Sequence, residues 1–378
     1  MSTMTNQERF QAIMEYKSVD RVPNYEVGLW PQTLERWRSE GLLWEDHTWD
    51  WFTGDPKFYM DHREYIDINY DMIPPFEYKV LERTDKYEVI QDHKGVVRRA
   101  LIEGSVGGGR ASMDTYLSWP VHDMHSFKEL TKRFQTGVPA RYPENWESRL
   151  APAWNTREHV LVLGRNCSML GFYWRAREWM GTENLSYAWY MQPELIEAMM
   201  EFIADFTIEV SRPILDKVKP DYIFINEDMA MKTGPLLSPD LYRQYIFPHM
   251  KRLVDFHKSN GVRYVIVDSD GNMGPIIPLL LDAGVDGIFP LERASEGNDP
   301  YDVRKTYGKS LRIWGAVDKR ELAKDYAAID QHLMSLAPLL EDGGFFPMVD
   351  HTVPPDVSYN NFRHYIERKM QFLRGEYF

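Results

Sequence analysis

In its second half the chain alternates between short apolar runs and helix-like stretches. The runs are DYIFIN (221–226), RYVIVD (263–268), DGIFPLE (286–292), LRIWG (311–315) and FFPMVD (345–350). One intervening stretch, SPDLYRQYIFPHMKRLVDFHKSNG, predicts a helix capped by Ser238, with Pro239 in its first turn and Gly261 at its end. Pro248 should kink it. Near the C-terminus, Phe362, Tyr365, Ile366, Met370 and Leu373 recur at helical spacing. Strand and helix in alternation mean parallel strands joined by crossover helices.

The first half is less regular. RVPNYEVG (21–28), IDINYDM (66–72) and HVLVLGR (159–165) read as strands. With the five above they make eight, the number that closes into a (β/α)8 TIM-type barrel, whose active sites lie at the strands' C-terminal ends. A doubly wound sheet is the alternative, but no glycine fingerprint follows the first strand. YKVLERTDKYEVIQDHKGVVRRALIEG (78–104) alternates with period two and carries turn signals at Thr84-Asp85 and Lys94-Gly95. It predicts an antiparallel β insertion after the second strand, within about 78–110. GSVGGGR (104–110) completes no phosphate loop and reads as a connector. No repeat or interdomain linker appears, so residues 1–378 are expected to form a single barrel domain.

This pattern places acids at strand ends. Asp268 and Asp270 leave one apolar run on the same side. Glu292 ends the next run, Glu227 and Asp228 follow DYIFIN, and Asp350 and His351 follow the last. In a closed barrel they surround one mouth and repel one another unless a cation intervenes. Asp268, Asp270, Glu292 and His351 would serve as ligands of a divalent metal, zinc as the leading choice, with manganese and iron equally accommodated. The competing reading is that these acids cap loops and pair with Arg165, Arg293 or Arg320. A calcium loop is excluded, because the twelfth position from Asp268 is Leu279, where a bidentate Glu is needed.

Composition narrows the classes further. The net charge of −13 argues against nucleic acid or an anionic membrane as partner. The one cysteine, Cys167, permits neither an internal disulfide nor a cysteine-rich metal site and is expected to be buried. No run reaches the about 18 apolar residues of a membrane span. The N-terminus lacks a signal-peptide core, so a cytoplasmic protein is expected. Thr5 and Glu8 instead fit a capping box opening a helix with Phe10, Ile13 and Met14 on one side.

From DRVPNYE to the C-terminal helix, the ordered set of segments resembles the uroporphyrinogen decarboxylase superfamily, which includes cobalamin-dependent methyltransferases. YDMIPPF resembles the decarboxylases' second-strand segment and assigns a substrate-facing role to Asp71. DSDGN stands where the corrinoid methyltransferases carry His-x-Cys-Gly, so Asp268 and Asp270 take the places of zinc ligands. Glu292 matches a glutamate that can contact zinc in those enzymes. In VDHTVPPDVSYNN, His351 takes the position of the central residue of Gly-His-Gly or Gly-Cys-Gly. The decarboxylases' arginine-rich N-terminal signature is missing, and VGLWPQTLERW stands in its place. An acid-rich mouth suits a multiply anionic tetrapyrrole badly.

The resemblance therefore implies a methyltransferase moving a methyl group from a small methylated compound, such as a methoxylated aromatic, to the cobalamin of a separate corrinoid protein. The metal would polarise the substrate oxygen. Glu227, Asp71 and His351 are the candidate catalytic residues. Trp30, Tyr70, Phe76, Trp174 and Asp228 are the candidate substrate contacts, with ordinary packing the competing reading for the aromatics. The chain has no cobalt-ligating loop of its own. The nearest string, from Asp255 to Gly261, is one residue too long, so His257 is expected at the surface, and His122 and His125 are expected to be solvated. A metal-dependent decarboxylase or lyase on the same barrel, and a non-catalytic barrel binding a corrinoid or cationic ligand, are the alternatives. A homodimer is allowed.

Overall fold

The structure, a computed structural model, describes residues 4–43, 54–102, 114–164 and 171–378. Cys167, Arg165 and the 104–110 connector lie outside them. In chain order the strands begin with β1 (Arg63–Ile66). Next come β2 (Lys79–Arg83), β3 (Tyr87–Gln91), β4 (Val97–Leu101) and β5 (Thr115–Ser118). Then follow β6 (Val160–Leu163), β7 (Tyr222–Asn226), and the two-residue strands β8 (Ala230–Met231) and β9 (Gly234–Pro235). The last four are β10 (Tyr264–Asp268), β11 (Gly287–Leu291), β12 (Arg312–Val317) and β13 (Phe345–Val349).

Seven of these form one parallel sheet in the order β1-β6-β7-β10-β11-β12-β13. Every residue of β6, β7, β10, β11 and β13 is buried. Strands covered on both faces read as continuous apolar runs, and for that reason the sequence located these five to within two residues at either end.

The two early strands differ from expectation. The second lies at Arg63–Ile66, ahead of the expected 66–72, because its opening residues are charged. Arg63 is nevertheless buried, its guanidinium 4.0 Å over the Tyr25 ring and bonded to the Tyr222 hydroxyl at 3.2 Å. The expected first strand, 21–28, is extended but forms no ladder. Side chains supply part of its hydrogen bonding, beside scattered backbone bonds such as Asp61 N–H to the Asn24 carbonyl at 2.9 Å. Asn24 N–H donates to Asp61 Oδ2 at 2.7 Å, and Val349 N–H donates to Glu26 Oε2 at 2.8 Å. At its far end Val353 N–H donates to the Gly28 carbonyl at 3.0 Å. The segment thus touches residues beside both edge strands, β1 and β13, without becoming an eighth strand. The observed sheet has seven strands, where eight were expected.

Strands β2 to β5 form a separate antiparallel sheet in sequence order. The insertion therefore has one strand more than the pattern between 78 and 104 suggested. Gly95, at φ +81°, makes the turn between β3 and β4, and a Cβ there would come 2.8 Å from the Phe76 ring. Only glycine fits both demands. The insertion is tied down by an ion pair between Lys94 and Glu178.

The helical expectations fare well. The Thr5–Glu8 capping box is present, and Phe10, Ile13 and Met14 are buried. Ser238 Oγ caps its helix by accepting from Leu241 N–H. The helix opens into a π-turn over Tyr242–Ile246 just before Pro248, which cannot donate a backbone bond. It continues over Phe247–Ser259. The C-terminal helix, Tyr359–Phe372, buries Phe362, Tyr365 and Ile366 and is pinned by a fully buried Lys369–Glu26 pair at 2.5 Å. No helix among the described residues is long and apolar enough to cross a membrane. His257 is not at the surface. It is fully buried, with Nδ1 2.8 Å from the Leu253 carbonyl and Nε2 3.3 Å from Ser211 Oγ. His122 and His125 are exposed as expected.

Candidate functional site

Parallel strands bring their C-terminal ends to one edge. There β7 runs into Asn226, Glu227 and Asp228, β10 into Asp268 and Asp270, β11 into Glu292, β12 into Asp318 and Lys319, and β13 into Asp350 and His351. The register sets Asp268 between Asn226 and Phe289.

Asp268 is 7% exposed, and among the described residues its carboxylate accepts one side-chain hydrogen bond, from the Asn226 amide to Oδ2 at 3.1 Å. Burial, then the Asp270 charge and, more weakly, that of Asp228, push its carboxyl well above the usual range against that hydrogen bond and the nearby His351. Asp228 is raised too, by burial and by Asp270, although Arg177 stands 3.2 Å away. Its backbone is in the left-handed region, φ +33°. Asp270 faces His351, Oδ2 to Nε2, at 3.3 Å. Burial works against a charged imidazole, yet the Asp270 hydrogen bond and charge prevail and hold His351 above its ordinary value. Its other nitrogen lies 2.6 Å from Thr352 Oγ1, and the exposed Trp30 ring stacks on it with centroids 6.1 Å apart.

The remaining acids are committed. Glu292 accepts from Lys319 Nζ and from Gly271 N–H, each at 3.1 Å. Asp350 is fully buried and accepts from Arg293 N–H and Lys319 N–H, joining the ends of three strands, and burial pushes it up to about 6. Glu227 is fully buried and takes the N–H groups of Phe172 and Tyr173 at 3.0 and 2.8 Å, the start of the helix Phe172–Met180. Burial raises it to about 7 against these bonds. A Cβ on Gly171 would come 2.3 Å from the Glu227 carboxyl carbon, so glycine is required there.

The other candidates are spread out. Asp71 lies 3.4 Å from the buried Arg175, which with Lys94 holds its carboxyl low despite burial. Tyr70 is buried with its hydroxyl 2.9 Å from Ser211 Oγ, in the layer between sheet and helix. Phe76 packs under Gly95 with the Arg133 guanidinium 4.1 Å over its ring. Trp174 carries Arg177 at 5.1 Å, which links it to Asp228. Arg293 and Arg320 pair with Asp299 and Asp318, and neither is paired with Asp268 or Asp270.

The donor set Asp268, Asp270 and His351 suits a divalent cation in charge and atom type. Glu292 does not fit with it, being held by Lys319. Among the described residues, the one group of three metal-ligating side chains with donor atoms within 4.8 Å of one another lies elsewhere, at His62, Glu64 and His159. The mouth therefore offers a charged cluster in which Asp270 is paired with His351, Asp228 with Arg177 and Glu292 with Lys319. Sequence reading missed Lys319 and Arg177, cations whose partners are set by folding alone. It also missed the His62 group, although the string His-Arg-Glu at the start of β1 was a signal.

The family model of uroporphyrinogen decarboxylase (URO-D) matches residues 176–371, more than half of the chain, and the chain belongs to that family. The solved structure of a methyltransferase from Methanosarcina mazei superposes with a TM-score of 0.53 over 98% of this chain and 99% of that one, at 12% identity. That likeness is one of fold. No curated protein matches the chain.

Proposed function

We propose that the chain is a methyltransferase that takes a methyl group from a small methylated compound, such as a methoxylated aromatic, and delivers it to cobalamin on a separate corrinoid protein. The observation that carries this reading is the cluster of Asp228, Asp268 and Asp270 beside His351 at the mouth, in which Asp268 is buried without an ion pair among the described residues and is pushed up by burial and by its neighbours' charge. Buried like charges are costly unless a ligand supplies the opposite sign, and perturbed groups gather at functional sites. The URO-D family membership and the fold shared with a methyltransferase add weight.

Asp268, Asp270 and His351 would hold a divalent metal, with zinc as the leading choice. Such an ion would supply Lewis-acid polarisation of a substrate oxygen, and the partner's cobalamin would be the methyl acceptor. When the methyl group leaves, the electron pair of its bond stays on that oxygen, which then needs a proton. In this reading Asp228, raised by burial and by Asp270 against the pull of Arg177, would give it. Trp30, exposed and stacked on His351, offers a face for an aromatic donor, and Trp174 adjoins Asp228 through Arg177. Glu227 acts by positioning, since it holds the start of the helix that carries Trp174 and Arg177. Asp71 would orient substrate through its pairing with Arg175.

The test is demethylation of a panel of methyl ethers, amines and thiols by the zinc-loaded chain, with free reduced cobalamin as acceptor. Methylcobalamin formation that falls at least about a hundredfold in Asp270→Asn supports the reading. Release of carbon dioxide from carboxylated substrates with no methyl transfer would replace it by the decarboxylase alternative. Tight ligand binding with no turnover would replace it by a binding function.

A further inference from the structure

We propose a second cation site, of the zinc class, at the opposite end of the sheet, formed by His62, Glu64 and His159. It is independent of the mouth and of the methyl-transfer reading.

The fold builds this site from two neighbouring strands. His62 and Glu64 flank Arg63 at the start of β1, and residues two apart in a strand project to the same side. Arg63 projects the other way, into the buried ring pair of Tyr25 and Tyr222. In the parallel register Arg63 pairs with Val160, which sets His159 beside His62. The two imidazole rings lie with centroids 4.8 Å apart, and His159 Nε2 is 2.7 Å from Glu64 Oε2. All three donor atoms fall within 4.8 Å of one another.

The chemistry favours a borderline metal over a hard one. Two imidazoles and one carboxylate match zinc, and calcium or magnesium would demand more oxygen. The carboxylate is also oriented from behind. Trp154 Nε1–H donates to Glu64 Oε1 at 2.7 Å, an outer partner of the kind that fixes metal-binding carboxylates. Zinc donors sit about 2.0–2.2 Å from the ion and so about 3.3–3.5 Å from one another, so the His159–Glu64 pair must open slightly and His62 must close in. His62, the exposed member, can do this by turning its side chain. The exposed position of His62 leaves room for solvent to complete the coordination.

The experiment uses the full chain, stripped with chelator and titrated with zinc alone by calorimetry and with cobalt(II) by visible absorption. Wild type, His62→Gln, His159→Gln and Asp270→Asn are compared. The expected result is a cobalt site with tetrahedral or five-coordinate bands that survives Asp270→Asn and weakens in both histidine variants. The loss should be at least about tenfold, since losing even an outer-shell partner costs about 10- to 100-fold. Zinc should raise the melting temperature of Asp270→Asn and have a smaller effect on His62→Gln, whose exposed side chain makes misfolding no explanation. Undiminished affinity and band intensity in both histidine variants would overturn the proposal, as would the absence of any zinc uptake by Asp270→Asn.

Discussion

Two buried aspartates at opposite ends of neighbouring strands show what separates the mouth from the base. Asp221 precedes β7 at the base, and Asp268 ends β10 at the mouth, and both are nearly inaccessible. Asp221 is surrounded by donors. Gln7 and Gln11 amides, the Arg157 guanidinium and Leu161 N–H all reach it within 3.1 Å. Asp268 receives one side-chain amide and stands near two further carboxylates. Asp286, also at the base, repeats the first pattern with Lys258 and Val265 N–H. Asp221 is matched by its donors and Asp268 is not, the contrast expected if the mouth receives a cation or a substrate.

Substitutions should reproduce this difference. Asp221→Ala strands a buried guanidinium and should cost about 3–5 kcal/mol, measured by urea denaturation. A loss under 1 kcal/mol would erase the contrast.

The next largest effect is a pH dependence at the mouth. Glu227 binds its proton more tightly in the folded chain, with its value raised from 4.5 to about 7. Its contribution to stability is therefore full below pH 4.5 and is lost as pH rises to about 7, a swing of roughly 3 kcal/mol. The stability difference between wild type and Glu227→Gln should change by that amount across the window. His257 runs the other way. Burial lowers it to about 4, so its contribution is lost as pH falls from 6.5 towards 4.

Asp268→Asn should abolish methyl transfer and yet stabilise the metal-free chain by about 1 kcal/mol, because it removes a buried like charge and can keep the Asn226 contact. Destabilisation would mean that the acid is structural. The smallest effect is expected from Lys319→Met. It frees Glu292 and removes a charge that lowers His351, so the His351 titration followed by NMR should move upward.

How much of this was legible depended on where polar residues fell. The parallel strands β6, β7, β10, β11, β12 and β13 were visible because their positions are almost all apolar, whereas the two-residue strands β8 and β9 carry no such run. β1 lies ahead of its expected position because Arg63 and Glu64 open it, and the 21–28 segment, apolar enough to predict a strand, instead bonds through the Glu26 and Asn24 side chains. At the site, the Asp268, Asp270 and His351 neighbourhood followed from strand ends alone. The bracing of Glu292 by Lys319 did not, since their meeting depends on loop paths after β11 and β12. The His62 group escaped because His159 stands 95 residues from Glu64 along the chain and meets it only through the β1–β6 register.

A crystal grown with zinc and measured on both sides of the zinc absorption edge tests the central claim most directly. The account predicts an anomalous peak at the mouth, bonded to Asp268, Asp270 and His351, with Glu292 still on Lys319. Density confined to the base, with Asp270 and His351 still paired and no ion between them and Asp268, would contradict it.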